Sequence, residues 1–144
     1  MPTIIMQQHF NAPPETVFDT LCDHAKFGQL TGANITRIKD GQAPYANGLG
    51  SVRRINLFPL PSFDETVVMY EPGKRMEYII SRGSPLKDHR GVMRFESENG
   101  GTRLDYSITF EPRLNVPFAG KLLKSVIEYP IRKGLERLAR RYQK

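Results

Sequence analysis

The sequence has 144 residues and a formal net charge of +6, with 39% hydrophobic and 25% charged residues. This length and composition allow a full core, which excludes a disordered, collagen-like or disulfide-based chain. The single cysteine excludes an internal disulfide, and no apolar run reaches the roughly 18 residues of a membrane span. The N-terminal residues lack the pattern of a signal peptide, so we expect one cytoplasmic domain over residues 1–144.

The N-terminal part predicts one strand and two short helices. The strand covers Thr3–Phe10, and the proline pair after it indicates a helix that is capped near Asn11 or Ala12. Asp23 is expected to cap a second short helix, which ends near Gly32. The first helix presents one apolar stripe, formed by Val17, Phe18, Leu21 and Cys22.

The middle of the chain alternates polar and apolar residues with period two, which predicts strands separated by turns. Asn99 and Gly100 are a strong hairpin pair. The six predicted strands are Asn34–Asp40, Ser51–Phe58, Phe63–Tyr70, Arg75–Arg82, His89–Ser97 and Thr102–Glu111.

The C-terminal part predicts one long helix from about Val116 to Gln143. Pro130 lies inside it and is expected to kink it, because proline removes the backbone hydrogen bond to Val126. The apolar face at helical spacing comprises Ala119, Leu123, Val126, Ile127, Ile131, Leu135 and Leu138.

This element order predicts an α+β fold. Short connections between consecutive strands favour an antiparallel sheet of about seven strands. Only the last helix is long enough to cover the apolar face of such a sheet, so the sheet should curve around that helix. Either side chains or a ligand would fill the space between them.

Several local motifs in this order resemble the helix-grip fold of the START and birch-pollen-allergen (SRPBCC) superfamily, and within it the polyketide cyclase/dehydrase-like group. These motifs are Ala12–Asp19, Gly48–Arg54, Glu65–Pro72, Arg75 with Tyr78, Ser84–Gly91 and Gly100–Leu104. The resemblance implies a domain that binds, carries, cyclises or senses apolar molecules. We therefore expect binding of a small hydrophobic, polyketide-like or lipid-like ligand, with no cofactor.

A few polar residues share a strand face with apolar residues and are the candidate ligand contacts. Arg53 and Glu65 lie on neighbouring strands, where they can neutralise each other. These polar residues have two alternative roles. They form either a satisfied ion pair in a closed core or the polar end wall of an apolar pocket. The polar candidates are Arg53, Glu65, Tyr78, His89 and Tyr106, and the apolar candidates are Met69, Met76, Met93, Phe95, Phe110, Phe118, Leu123 and Ile127.

Recognised catalytic and metal-binding motifs are missing from the sequence. The histidines, His9, His24 and His89, are dispersed and lack the spacing of a helical metal site. An enzymatic alternative of the cyclase or dehydratase type would use His89 or Tyr106 to move protons at a ketone, while Arg53 stabilises the enolate. Cys22 lies on an apolar stripe, which favours an inert buried thiol.

The excess charge lies entirely in residues 118–144, which hold eight basic and two acidic residues. These basic residues indicate either a solvated outer helix face or contact with an anionic membrane. Nucleic-acid binding is less favoured, because few aromatic residues lie between the basic ones. The chain is expected to be a monomer or a homodimer. The basic residues on the outer face are Lys121, Lys124, Arg132, Lys133, Arg140 and Lys144.

Overall fold

The computed structural model describes residues 3–57, 60–83, 86–112 and 118–143. In chain order the elements are β1 (Thr3–Phe10), α1 (Pro14–Leu21), α2 (His24–Thr31), β2 (Asn34–Lys39), β3 (Val52–Asn56), β4 (Phe63–Glu71), β5 (Arg75–Arg82), β6 (Leu86–Glu98), β7 (Gly101–Pro112) and α3 (Ala119–Arg141).

The strands form one seven-stranded antiparallel sheet in the order β1-β7-β6-β5-β4-β3-β2. Every strand from β2 to β7 pairs with its neighbour in sequence, and β1 joins the edge of β7. The sheet curves, and α3 packs against α2, β1 and β7. We call the sheet face towards these helices the inner face. The predicted helix-grip architecture is confirmed.

The two short helices begin where local chemistry directs them. The α1 cap is Pro13, directly after Ala12, in agreement with the prediction of a cap near Asn11 or Ala12. Pro14 takes the first helical position, where its fixed φ fits and its missing N–H costs nothing. The prediction for α2 is confirmed, because the Asp23 carboxylate accepts a hydrogen bond from the Lys26 amide at 2.9 Å, and Gly32 ends the helix with φ of 81°.

The β6–β7 hairpin turns at Asn99 and Gly100, whose φ angles are 50° and 78°. Two consecutive residues with positive φ make the turn that matches the twist of a hairpin. Along β7 the inward residues Leu104, Tyr106 and Ile108 are buried, as the alternation predicts.

Helix α3 is buried mainly along its C-terminal half. Its predicted start at Val116 lies outside the described residues. Leu123 and Val126, in the first half of the helix, are only partly buried. At Gly134 the helix approaches α2 so closely that a Cβ atom would lie 3.0 Å from the Leu30 carbonyl oxygen. The buried residues of the helix are Ile127, Ile131, Gly134, Leu135, Leu138 and Ala139.

Candidate functional site

A buried ion pair lies on the inner face, between β3 and β4. Arg53 and Glu65 are direct register partners. The guanidinium donates to Glu65 Oε1 from Nε at 2.8 Å and from Nη2 at 2.7 Å. Burial disfavours the charge of Arg53, which is 1% exposed, but the Glu65 carboxylate together with Tyr78 and Tyr106 outweighs burial and raises the pKa of Arg53. The two groups therefore remain a charged pair in the core.

Two aromatic rings enclose the Arg53 guanidinium. Its central carbon lies 4.7 Å from the centre of the Tyr78 ring and 5.3 Å from that of Phe27. The hydroxyls of Tyr78 and Tyr106 are hydrogen-bonded to each other, and burial raises the pKa of both above the ordinary value for tyrosine. Both hydroxyls therefore stay protonated, and the ring faces stabilise the buried cation.

His24 extends the polar network, although the sequence analysis did not select it. Its Nδ1 accepts from Arg53 Nη1 at 3.5 Å, and its Nε2 lies 3.0 Å from Ser51 Oγ. Burial, and then the charge of Arg53, lower the pKa of His24 to about 3, so its ring is neutral. The helical spacing of the sequence could have identified His24, because His24, Phe27 and Thr31 share one buried face of α2.

His89 approaches the ion pair from β6. The Ile80 amide donates to His89 Nδ1 at 3.1 Å, while His89 Nε2 lies 3.9 Å from Glu65 Oε2. Burial lowers the pKa of His89, so the ring is neutral and its proton resides on Nε2. At this distance the Nε2–H group makes no direct hydrogen bond to the carboxylate.

A cavity of about 50 Å³ lies between the inner face and α3, and its lining includes Phe27, Arg53, Glu65, Tyr78 and His89. One water needs about 10–15 Å³ on this measure, so the cavity has room for a small chemical group. The cavity is partly open, and its surface is mainly apolar. Its six isoleucines are Ile35, Ile55, Ile80, Ile108, Ile127 and Ile131.

The structure places five of the expected ligand contacts in this cavity and the others elsewhere. Tyr106 and several apolar candidates pack in the closed core, because the inner face extends well beyond the cavity. Leu123 is partly buried on α3, and Phe118 is 77% exposed. The cavity-lining group is Arg53, Glu65, Tyr78, His89 and Ile127, and the closed-core group is Met76, Met93, Phe95, Tyr106 and Phe110.

Met69 does not share the face of Glu65. The register between β4 and β5 shifts between Val67 and Met69, so Met69 lies opposite Glu77 and Tyr70 lies opposite Met76. A bulge of this kind reverses the alternation beyond it. Tyr70 therefore points inward, while Met69 lies on the outer face.

The three catalytic candidates do not form one acid–base group in the cavity. Tyr106 lies outside its lining and bonds to Tyr78, while the guanidinium of Arg53 donates to Glu65 and to His24. His89 presents an N–H donor because Nδ1 already accepts from the backbone. The arrangement therefore suits recognition of a polar group by hydrogen bonds.

The described ranges lack metal-binding clusters and membrane-spanning helices. They contain no cluster of three or more His, Cys, Asp or Glu side chains able to hold a metal ion. No helix in the same ranges is both long and apolar enough to cross a bilayer. Cys22 is buried, and burial raises the pKa of its thiol.

The basic surface of α3 divides into two parts. Arg132 pairs with Glu128, and Lys133 pairs with Glu136 at 3.4 Å. Lys144 lies outside the described residues. Near the start of the helix, Lys121 and Lys124 are exposed beside uncovered apolar side chains. These side chains are Phe118, Leu122 and Tyr129, with exposures of 77%, 67% and 67%.

Comparison with known proteins agrees with this geometry. The family described as "Polyketide cyclase / dehydrase and lipid transport" matches residues 1–143. The chain belongs to this family. Its description covers proteins that handle hydrophobic molecules, which supports hydrophobic ligand binding in general for this member. No curated protein sequence matches the chain.

Solved structures show how widely the fold of this family member is shared. The protein XoxI from Bacillus cereus superposes with a TM-score of 0.75 at 15% identity, over 99% of this chain and 96% of that one. The Aha1 dimer from Colwellia psychrerythraea gives 0.71 at 13% identity, over 96% and 97%. Ara h 8.0201 gives 0.68 at 15% identity, over 94% and 96%. At these identities the likeness shows the fold alone.

Proposed function

We propose that this protein binds a small hydrophobic molecule in the cavity between the sheet and α3. The observation that carries the proposal is an isoleucine-lined cavity with a few polar groups at one wall, namely Arg53, Glu65 and His89. Apolar walls supply affinity, and a few fixed polar groups supply orientation. Catalysis is not part of the proposal, because Tyr106 lies outside the cavity and Arg53 is held by Glu65.

The size of the cavity limits how the ligand sits. Its volume of about 50 Å³ is well below the roughly 300–1,000 Å³ of drug-sized binding sites. The polar end of a ligand therefore enters first, and the apolar remainder extends towards the partly open side. Ala33, Ile35 and Pro130 are among the residues that would contact this remainder.

The isoleucine δ1-methyl groups give a direct test by NMR. The protein is titrated with butan-1-ol, hexan-1-ol and octan-1-ol. We expect saturable shifts at the six cavity methyls, and each methylene that enters should improve affinity about fourfold, from about 0.8 kcal/mol per methylene. Ile4, buried on β1, and exposed Ile38 are internal controls. Shifts at the control methyls alone, or none at saturating alcohol, would contradict the proposal.

A second candidate function is docking on an anionic membrane through the start of α3. The specific observation is the exposed trio Phe118, Leu122 and Tyr129, which lies beside Lys121 and Lys124. Neither lysine has an acidic partner within 4 Å among the described residues, whereas Arg132 and Lys133 do. Uncompensated cations beside exposed apolar side chains match a surface of anionic headgroups above acyl chains.

Vesicle sedimentation tests this second function. The variant Lys121→Ala/Lys124→Ala should weaken binding to phosphatidylserine-containing vesicles by about 30-fold, at about 1 kcal/mol per basic residue. The matched control is Arg132→Ala/Lys133→Ala, which removes two cations that already have partners and should change binding much less. Equal losses in both variants, or binding that is insensitive to salt, would refute the assignment.

A further inference from the structure

We infer that the ligand of this cavity presents a neutral hydroxyl group between Glu65 and His89. The inference rests on the proposed function, and it names the polar chemistry that the site selects. The inference follows from one acceptor, Glu65 Oε2, and one donor, His89 Nε2, which lie 3.9 Å apart at the polar wall of the cavity.

The acceptor is Glu65 Oε2. Arg53 occupies the other oxygen, Oε1, through two donors, and no hydrogen bond to Oε2 occurs among the described residues. Both Glu65 and His89 line the cavity. A carboxylate oxygen that faces a mainly apolar cavity without a donor is costly, so a ligand that donates a hydrogen bond there gains affinity.

The donor is His89 Nε2. Its role is fixed because Nδ1 already accepts from the Ile80 amide, and because burial keeps the ring neutral. Nε2 and Glu65 Oε2 are 3.9 Å apart. An oxygen placed about 2.8 Å from each atom would bridge them with two normal hydrogen bonds. The hydroxyl would donate to Glu65 and accept from His89.

Other polar groups fit this pair less well. A ketone oxygen can accept a hydrogen bond from His89, but a ketone has no proton to donate to Glu65. The lone pairs of the ketone oxygen and of Glu65 Oε2 would then repel each other. A carboxylate meets the same problem and adds charge repulsion, because the positive charge of Arg53 is already balanced by Glu65. The site therefore discriminates in favour of an alcohol or a phenol over a ketone or a carboxylate.

The test compares probes with equal carbon number, using the shifts of the six cavity isoleucine methyls. We expect hexan-1-ol to bind about tenfold more tightly than hexan-2-one, since one charge-assisted hydrogen bond is lost, and hexanoate to bind more weakly still. If none of the probes shifts the cavity methyls, the proposed function itself fails. Equal affinities, or tighter binding of hexanoate, would overturn the hydroxyl inference while leaving the cavity as a binding site.

Variants assign the selectivity to Glu65. In Glu65→Gln the side-chain amide can donate to a ketone, so the preference for hexan-1-ol over hexan-2-one should disappear. The control Glu96→Gln makes the same chemical change at an exposed residue of β6 and should keep the wild-type preference. If Glu65→Gln does not fold, Arg53→Met/Glu65→Leu removes both charges and should also bind the two probes equally. Retained selectivity in a folded Glu65 variant would overturn the inference.

Discussion

Breaking the Arg53–Glu65 pair tests whether the charges on the inner face are mutually compensated. Glu65→Leu leaves the Arg53 guanidinium buried without a counter-charge, a change that typically costs about 3–5 kcal/mol. The Tyr78 and Phe27 rings, at 4.7 and 5.3 Å, face the guanidinium in both proteins, so their contribution cancels in the comparison. We therefore expect the free energy of unfolding to fall by about 3–5 kcal/mol. Arg53→Met should cost a similar amount, because it leaves the Glu65 carboxylate alone.

The double variant Arg53→Met/Glu65→Leu supplies the decisive comparison. Apolar side chains of similar volume commonly replace a buried ion pair with little loss, so its stability should lie within about 1 kcal/mol of wild type. Urea unfolding with linear extrapolation measures all four proteins, and equal m-values show that the comparison is valid. Met93→Leu, a buried change outside the cavity, controls for general repacking. A double variant as unstable as the two single losses combined would show that the two charges do not compensate each other.

Three further predictions concern buried groups. The pKa of His24 is about 3 in the folded protein, whereas the unfolded residue has an ordinary pKa of 6.5. As the pH falls below about 7 the unfolded state therefore binds more protons, and the free energy of unfolding decreases. Between pH 7.5 and 5 this protonation lowers the free energy of unfolding by about 2 kcal/mol. Urea unfolding of His24→Gln should therefore show a pH dependence that is smaller by this amount. A pH dependence equal to that of the wild type would contradict the prediction. Gly91→Ala should destabilise by about 1–3 kcal/mol, because the new Cβ would lie 2.2 Å from Cζ of Tyr78, and an unaltered thermal midpoint would disprove that contact. The Cys22 thiol is buried with a raised pKa and should react with a thiol reagent only in urea; rapid labelling of the native protein at pH 8 would be the opposite result.

The sequence was sufficient to predict the secondary-structure order, because local signals and tertiary packing agree along most of the chain. The alternation in β7, the Asn99–Gly100 turn and the Asp23 cap each identify an element without knowledge of its neighbours. The start of α1 was predicted near Asn11 or Ala12, and the structure places the cap at the adjacent Pro13. Competing local preferences decide such boundaries.

The site was only partly predictable, because alternation identifies a sheet face but not a position along it. The phases of β3 and β4 were enough to bring Arg53 and Glu65 together. Beyond that pair, the register shift in β4 turns Met69 to the outer face, and Tyr106 lies on the part of the inner face outside the cavity, in the closed core. Most of the cavity isoleucines were overlooked for the same reason, since they come from separate elements and converge only through the fold.

The proposed ligand site lies beside the Arg53–Glu65 pair, where an apolar molecule would be held between the sheet and α3. The most direct measurement is an isotope-filtered NOESY spectrum of the isoleucine-methyl-labelled protein with hexan-1-ol. We expect NOEs from the alcohol chain to both Ile108 of β7 and Ile127 of α3, which line opposite sides of the cavity. NOEs confined to exposed methyls such as those of Ile5 and Ile38 would place the alcohol on the surface and contradict the claim.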